Sequence, residues 1–104
     1  MTTWATHLIA ELRAGEVVPF QPRGSSMVPK IRSGDLVTVR PLPPHEPEVG
    51  NVVLCHVAGR DYLHLVRAIE GERYQIGNSH GHVNGWTSRE RVFGRAIEAE
   101  GRKL

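Results

Sequence analysis

The chain has 104 residues, which is room for one domain with one core and no second module of useful size. Hydrophobic residues make up 39% and charged residues 23%, the balance of an ordinary globular protein, which excludes wholesale disorder. The formal charge is only +2 and basic residues alternate with acidic ones, as in Arg89-Glu90-Arg91, so no nucleic-acid footprint is expected. A single cysteine, Cys55, leaves no internal disulfide to form and no argument for an oxidising compartment, so the cytoplasm is the expected location.

Residues 1–15 read as a helix, because Trp4, Leu8, Ile9 and Leu12 recur at helical spacing while Glu11 and Arg13 point elsewhere. That stripe is expected to pack on a sheet rather than to face a partner. Thr2 or Thr3 is placed to cap the start, and Gly15 to end the helix in a left-handed conformation. Thr6, His7, Glu11 and Arg13 interrupt the apolar residues, so the segment is expected to be neither a signal peptide nor a membrane span.

After Gly15 the period changes. Residues 16–21, 35–40, 51–58, 60–69, 73–77 and 91–98 are alternating or β-branched runs bounded by turn residues, which predicts strands. Gly59 lies between two of the strongest and suggests a hairpin with Val57 and Tyr62 near its mouth. Pro41, Pro43, Pro44 and Pro47 cannot donate to a ladder, so the segment containing them is expected to be an extended surface connection. Asn84-Gly85 is a turn signal, and Trp86 after it is expected to cover one end of a barrel. Cys55, within Val53-Leu54-Cys55, is expected to act as a small buried hydrophobe. The prediction is therefore a single domain over 1–104: an N-terminal helix, a mainly antiparallel all-β core over 16–98 and a polar tail over 99–104.

The chemistry-bearing stretch is Gly24-Ser25-Ser26-Met27-Val28-Pro29, followed by Ser33-Gly34-Asp35 and the alternating Leu36-Val37-Thr38-Val39. Taken alone, Gly-Ser-Ser is a turn whose hydroxyls satisfy nearby backbone. The wider pattern, Gly-x-Ser-Met-x-Pro, then a basic and an apolar residue and Gly-Asp opening a strand, resembles the core signature of the superfamily that contains type I signal peptidases and self-cleaving repressors of the LexA kind. Gly50-Asn51-Val52-Val53, Leu63 to Glu70, Gly77-Asn78 and Val92-Phe93-Gly94-Arg95-Ala96-Ile97 resemble that superfamily's later strands in order and spacing, so the likeness runs from about Pro22 to Ile97. It implies a β-rich peptidase fold and a nucleophilic serine, here Ser26.

A serine hydroxyl is a poor nucleophile and needs a neighbour that takes its proton as it attacks a carbonyl. Cutting members of the superfamily use lysine for this, or histidine in the endoplasmic-reticulum type. The matching pair here falls at Val66-Arg67 or Arg67-Ala68, and Arg67 holds its proton at any usable pH. His64 is the candidate base, since its ordinary pKa near 6.5 suits neutral pH. Strand alternation places Tyr62, His64, Val66 and Ala68 on one face and Leu63, Leu65, Arg67 and Ile69 on the other, so His64 and Arg67 cannot both face the serine. The structural alternative for His64 is a ring packed beside Tyr62 and hydrogen-bonded to backbone.

Oxyanion stabilisation is expected from backbone N–H groups of the turn formed by Gly24, Ser25, Ser26 and Met27, with Ser25 itself a turn residue. Some signal peptidases place a hydroxyl two residues before the nucleophile, where this chain has Gly24. The resemblance implies a protein or peptide substrate docking as an extended strand, with no cofactor; the alternative is a degenerate member that binds a peptide without cutting it. His80-Gly81-His82 with Cys55-His56 offers metal-ligating types but matches no zinc spacing, and reads as a solvated loop rather than a metal site.

Overall fold

The computed structural model describes residues 3–104. Helix α1 (Thr6–Arg13) is followed by eight strands: β1 (Val18–Phe20), β2 (Val37–Arg40), β3 (Val52–Val57), β4 (Arg60–Glu70), β5 (Arg73–Gly77), β6 (Val83–Ser88), β7 (Val92–Ala99) and β8 (Arg102–Lys103). All form one sheet in the order β1-β2-β7-β3-β4-β5-β6, with β8 paired to β7, and every pairing is antiparallel. The expected all-β architecture with one helix is therefore what the chain adopts. Among the described residues no helix is long and apolar enough to cross a membrane.

α1 ends as its sequence dictates. Gly15 takes φ +86° and donates to the Leu12 carbonyl, while Glu16 donates to that of Glu11, so two orphan carbonyls of the last turn are satisfied. The start differs from expectation. The residue preceding the first helical turn is Ala5, buried in the core, and Thr3 instead donates from Oγ1 to Asp61 Oδ2 at 2.8 Å; Thr2 lies outside the described residues. Trp4 consequently falls before the helix and stacks on Phe20, with ring centroids 4.9 Å apart, while remaining 49% exposed. Leu8, Ile9 and Leu12 do pack against the sheet.

β3 is apolar almost throughout because both of its faces are covered. Val52 and Leu54 join a core with Leu12, Val18, Val37, Val39, Leu63 and Ala96 beneath the helix. Val53, Cys55 and Val57 join a second core with Val66, Ile76 and Val92. β5 and β6 curl over that second face, where Thr87 donates from Oγ1 to the His56 carbonyl at 2.7 Å.

Two expectations are corrected. Asn84-Gly85 is not a turn but the middle of β6, and Trp86 pairs with Gln75 inside the ladder instead of capping a barrel. The proline-rich segment is not wholly at the surface: Glu46 is buried and its Oε2 accepts from Arg40 at 3.0 Å and Arg95 at 2.8 Å. Within the polar tail, β8 extends the sheet and Arg102 donates to the Lys30 carbonyl and to Asp35 Oδ2.

Candidate active site

Residues 22–34 form a closed loop between β1 and β2. Gly34 donates to the Pro22 carbonyl at 2.7 Å and Gly24 to Ser33 Oγ at 3.1 Å, which pins the loop at its base. Within it, Val28 donates to the Ser25 carbonyl and Ile31 to that of Met27, coiling the chain tightly enough to present Ser26. Met27 and Ile31 enter the core beneath the helix and anchor the loop by burial. Ser26 is left half-buried at the rim, and the N–H groups of Ser26 and Met27 meet no acceptor among the described residues.

His64 lies on β4 at the point where that strand has an open edge. β4 pairs with β3 from Arg60, but β5 joins it only from Leu65, so the first half of β4 faces the loop instead of another strand. The ring is buried, stacks on Tyr62 with centroids 4.7 Å apart, and places Nε2 3.1 Å from Ser26 Oγ. The expected side-chain alternation holds through Val66. A bulge then sets Arg67 outside the register; it is exposed and donates to the Asn78 carbonyl, away from the serine.

A third residue completes the arrangement. Asn84 Oδ1 lies 2.7 Å from His64 Nδ1. Since Oδ1 can only accept, Nδ1 carries the ring proton and Nε2 presents its lone pair to the Ser26 hydroxyl. β6 achieves this with a bulge: Gly85 pairs with Ile76 and Val83 with Gly77, leaving Asn84 as the extra residue whose side chain is turned toward His64. Gly85 takes φ +144°, a conformation open to glycine and hostile to other residues. Sequence reading missed Asn84 because Asn-Gly signals a hairpin turn, and the same backbone freedom serves a bulge.

The loop between β5 and β6 braces the serine turn from the other side. Asn78 Oδ1 accepts from the N–H groups of His80 and His82, folding the loop back on itself. From that loop Ser79 donates its N–H to the Ser26 carbonyl at 3.0 Å, and His80 Nε2 donates to the Ser25 carbonyl at 2.9 Å. His80 and His82 are thus parts of this brace. Among the described residues no three His, Cys, Asp or Glu side chains gather as a metal site.

The electrostatics suit a neutral imidazole. Burial pushes the His64 pKa below its ordinary 6.5, the hydrogen bond with Asn84 pulls it back up, and the positive form of nearby His82 lowers it further; the net direction is down. Cys55, by contrast, is a bystander, fully buried in the second core with its thiol pushed up to about 12, mainly by burial.

Ser26, His64 and Asn84 line a cleft of about 730 Å³. Its other walls are mainly apolar, including Trp4, Phe20, Met27, Ile31 and Leu63. Of the turn residues, Gly24 has its N–H taken by Ser33 Oγ, the Ser25 carbonyl is held by Val28 and His80, and Met27 contributes a buried anchor beside an N–H that meets no acceptor among the described residues. No family model, curated protein or solved structure matches the chain.

Proposed function

We propose that the chain is a serine hydrolase of the signal peptidase and LexA-like kind that cleaves a peptide or protein substrate, with Ser26 as nucleophile, His64 as general base in place of lysine and Asn84 orienting the ring. The observation that carries this reading is the hydrogen-bonded series from Ser26 Oγ through His64 to Asn84 on the lining of a cleft. Such a series, a nucleophile bonded to a base that is itself held by a third group, is the geometry acyl transfer requires.

In the first half-reaction the Ser26 Oγ–H proton passes to His64 Nε2 as Oγ bonds to the scissile carbonyl carbon. The carbonyl oxygen becomes an oxyanion facing the free N–H groups of Ser26 and Met27, which stabilise it. His64 then returns the proton to the departing amine, the C–N bond breaks and an acyl-serine remains. Water, deprotonated by His64, attacks that ester; the Oγ–C bond breaks, the carboxylic acid product leaves and His64 returns the proton to Ser26 Oγ. Asn84 holds the ring in the required tautomer throughout, but as a neutral amide it stabilises the imidazolium less than a carboxylate would. The cytoplasm is proposed as the compartment, on the single cysteine that leaves no disulfide to form.

A fluorophosphonate probe tests this. Ser26 is expected to be labelled, Ser26→Ala to abolish labelling, and His64→Ala to slow it by on the order of 10²- to 10⁴-fold. Labelling that persists at an equal rate in His64→Ala would remove the base. Folded protein without any labelling would leave the cleft as a peptide-binding site in a degenerate member.

A further inference from the structure

We propose that Trp4 and Phe20 form a specificity subsite that receives an aromatic side chain on the acyl part of the substrate; this deepens the hydrolase reading and rests on it. Three observations converge. Trp4 is a large apolar ring left 49% exposed, although its immediate neighbour Ala5 is fully buried. Exposed apolar surface gathered beside a cleft marks a place where something binds. One face of Trp4 is covered by the near-parallel Phe20 ring, at an interplanar angle of 15°, so the exposed remainder is free to stack on a further ring.

The segment is also held in place. Thr3 donates to Asp61 Oδ2, the Thr6 N–H returns to the Thr3 carbonyl, and Ala5 is locked in the core. Trp4 is thus a prepositioned wall of the cleft that Phe20, Ile31, Leu63 and Ser26 also line.

The charges in the cleft argue against a basic side chain as occupant. Asp61 is the carboxylate of the lining; it keeps its charge, but Oδ2 is bonded to Thr3 and Oδ1 to His56 Nδ1 at 2.9 Å, which leaves it fewer lone pairs for an ammonium. Arg23, also on the wall, carries positive charge that would repel a lysine or arginine. A volume of about 730 Å³ is far more than an alanine methyl would fill.

Hydrolysis of the methyl esters of N-acetylphenylalanine, N-acetylalanine and N-acetyllysine tests the assignment. kcat/KM is expected to favour the phenylalanine ester over each of the others by on the order of 10-fold or more. Trp4→Ala should collapse that preference by lowering kcat/KM for the phenylalanine ester more than for the alanine ester, and Trp4→Phe should restore most of it. Equal rates for the three esters, or a preference untouched by Trp4→Ala, would overturn the subsite and leave the hydrolase reading standing.

A second readout is independent of turnover. In the Ser26→Ala, Trp86→Phe double variant Trp4 is the sole tryptophan, and N-acetylphenylalanine amide should change its fluorescence saturably at lower concentration than N-acetylalanine amide. That response, with the parent protein never labelled at Ser26, would leave an aromatic-binding site at Trp4 and remove the catalytic reading. Its absence would remove the subsite.

Discussion

At the residue scale the site depends on one proton. Because burial holds the His64 pKa below 6.5, the ring is neutral at pH 7 and able to accept from Ser26; protonation removes that capacity. Activity is therefore expected to rise with pH along a limb whose midpoint lies below 6.5, then to level off, and a pH profile of kcat/KM checks this. Asn84→Ala frees the ring to rotate and swap tautomers, and is expected to lower kcat on the order of 10²-fold with KM little changed. Asn84→Asp places a carboxylate against Nδ1–H, which favours the charged ring, and should shift the limb upward in pH relative to the parent. An unshifted limb in Asn84→Asp would mean that residue 84 does not address the base.

At the element scale, the position of α1 over the sheet depends on Gly94 in β7. A Cβ there would lie 2.8 Å from the Arg40 carbonyl oxygen and 2.9 Å from Leu12 Cδ1, so backbone and helix would both have to yield. Gly94→Ala is expected to destabilise by roughly 1–3 kcal/mol, the range for overpacking, read as a lowered denaturation midpoint at unchanged slope. Glu46 links the proline-rich connection to β2 and β7. Its burial alone would raise its pKa, but the bonds and charges of Arg40 and Arg95 outweigh that and hold the carboxyl below its ordinary value. Its Oε1 and Arg95 Nε are buried without partners among the described residues, so the pair is incompletely satisfied. Glu46→Ala is expected to cost about 1–3 kcal/mol, since it leaves two guanidinium groups facing a site built for a carboxylate. The same denaturation experiment checks it, with labelling of Ser26 in the surviving folded protein as the control.

At the scale of the whole molecule, Cys55 reports on integrity. Buried in the second core with its pKa pushed up to about 12, it is expected to resist a thiol reagent at pH 8 and to react once the protein unfolds; modification rates followed through a denaturant titration check this. Hydrophobic period and turn chemistry were enough to read α1, the strands from β1 to β5 and β7, the hairpin at Gly59 and the buried Cys55, because each depends on neighbours within a few residues. Ser26 was legible as a turn-borne serine, and His64 as the titratable group on the matching strand. β6 and Asn84 were not, because Asn84-Gly85 suits a turn and a bulge equally well, and only pairing with β5 decides between them. The exposed Trp4 escaped for a similar reason: its spacing fits the helical stripe, but the helix begins two residues later and leaves the ring stacked on Phe20. The sequence by itself determined α1, the strands other than β6 and β8, and the types of reactive group. The meeting of Ser26, His64 and Asn84, from three segments far apart in the chain, was decided only by the tertiary structure, through the open edge of β4 and the bulge in β6, since long-range strand register is invisible to local pattern.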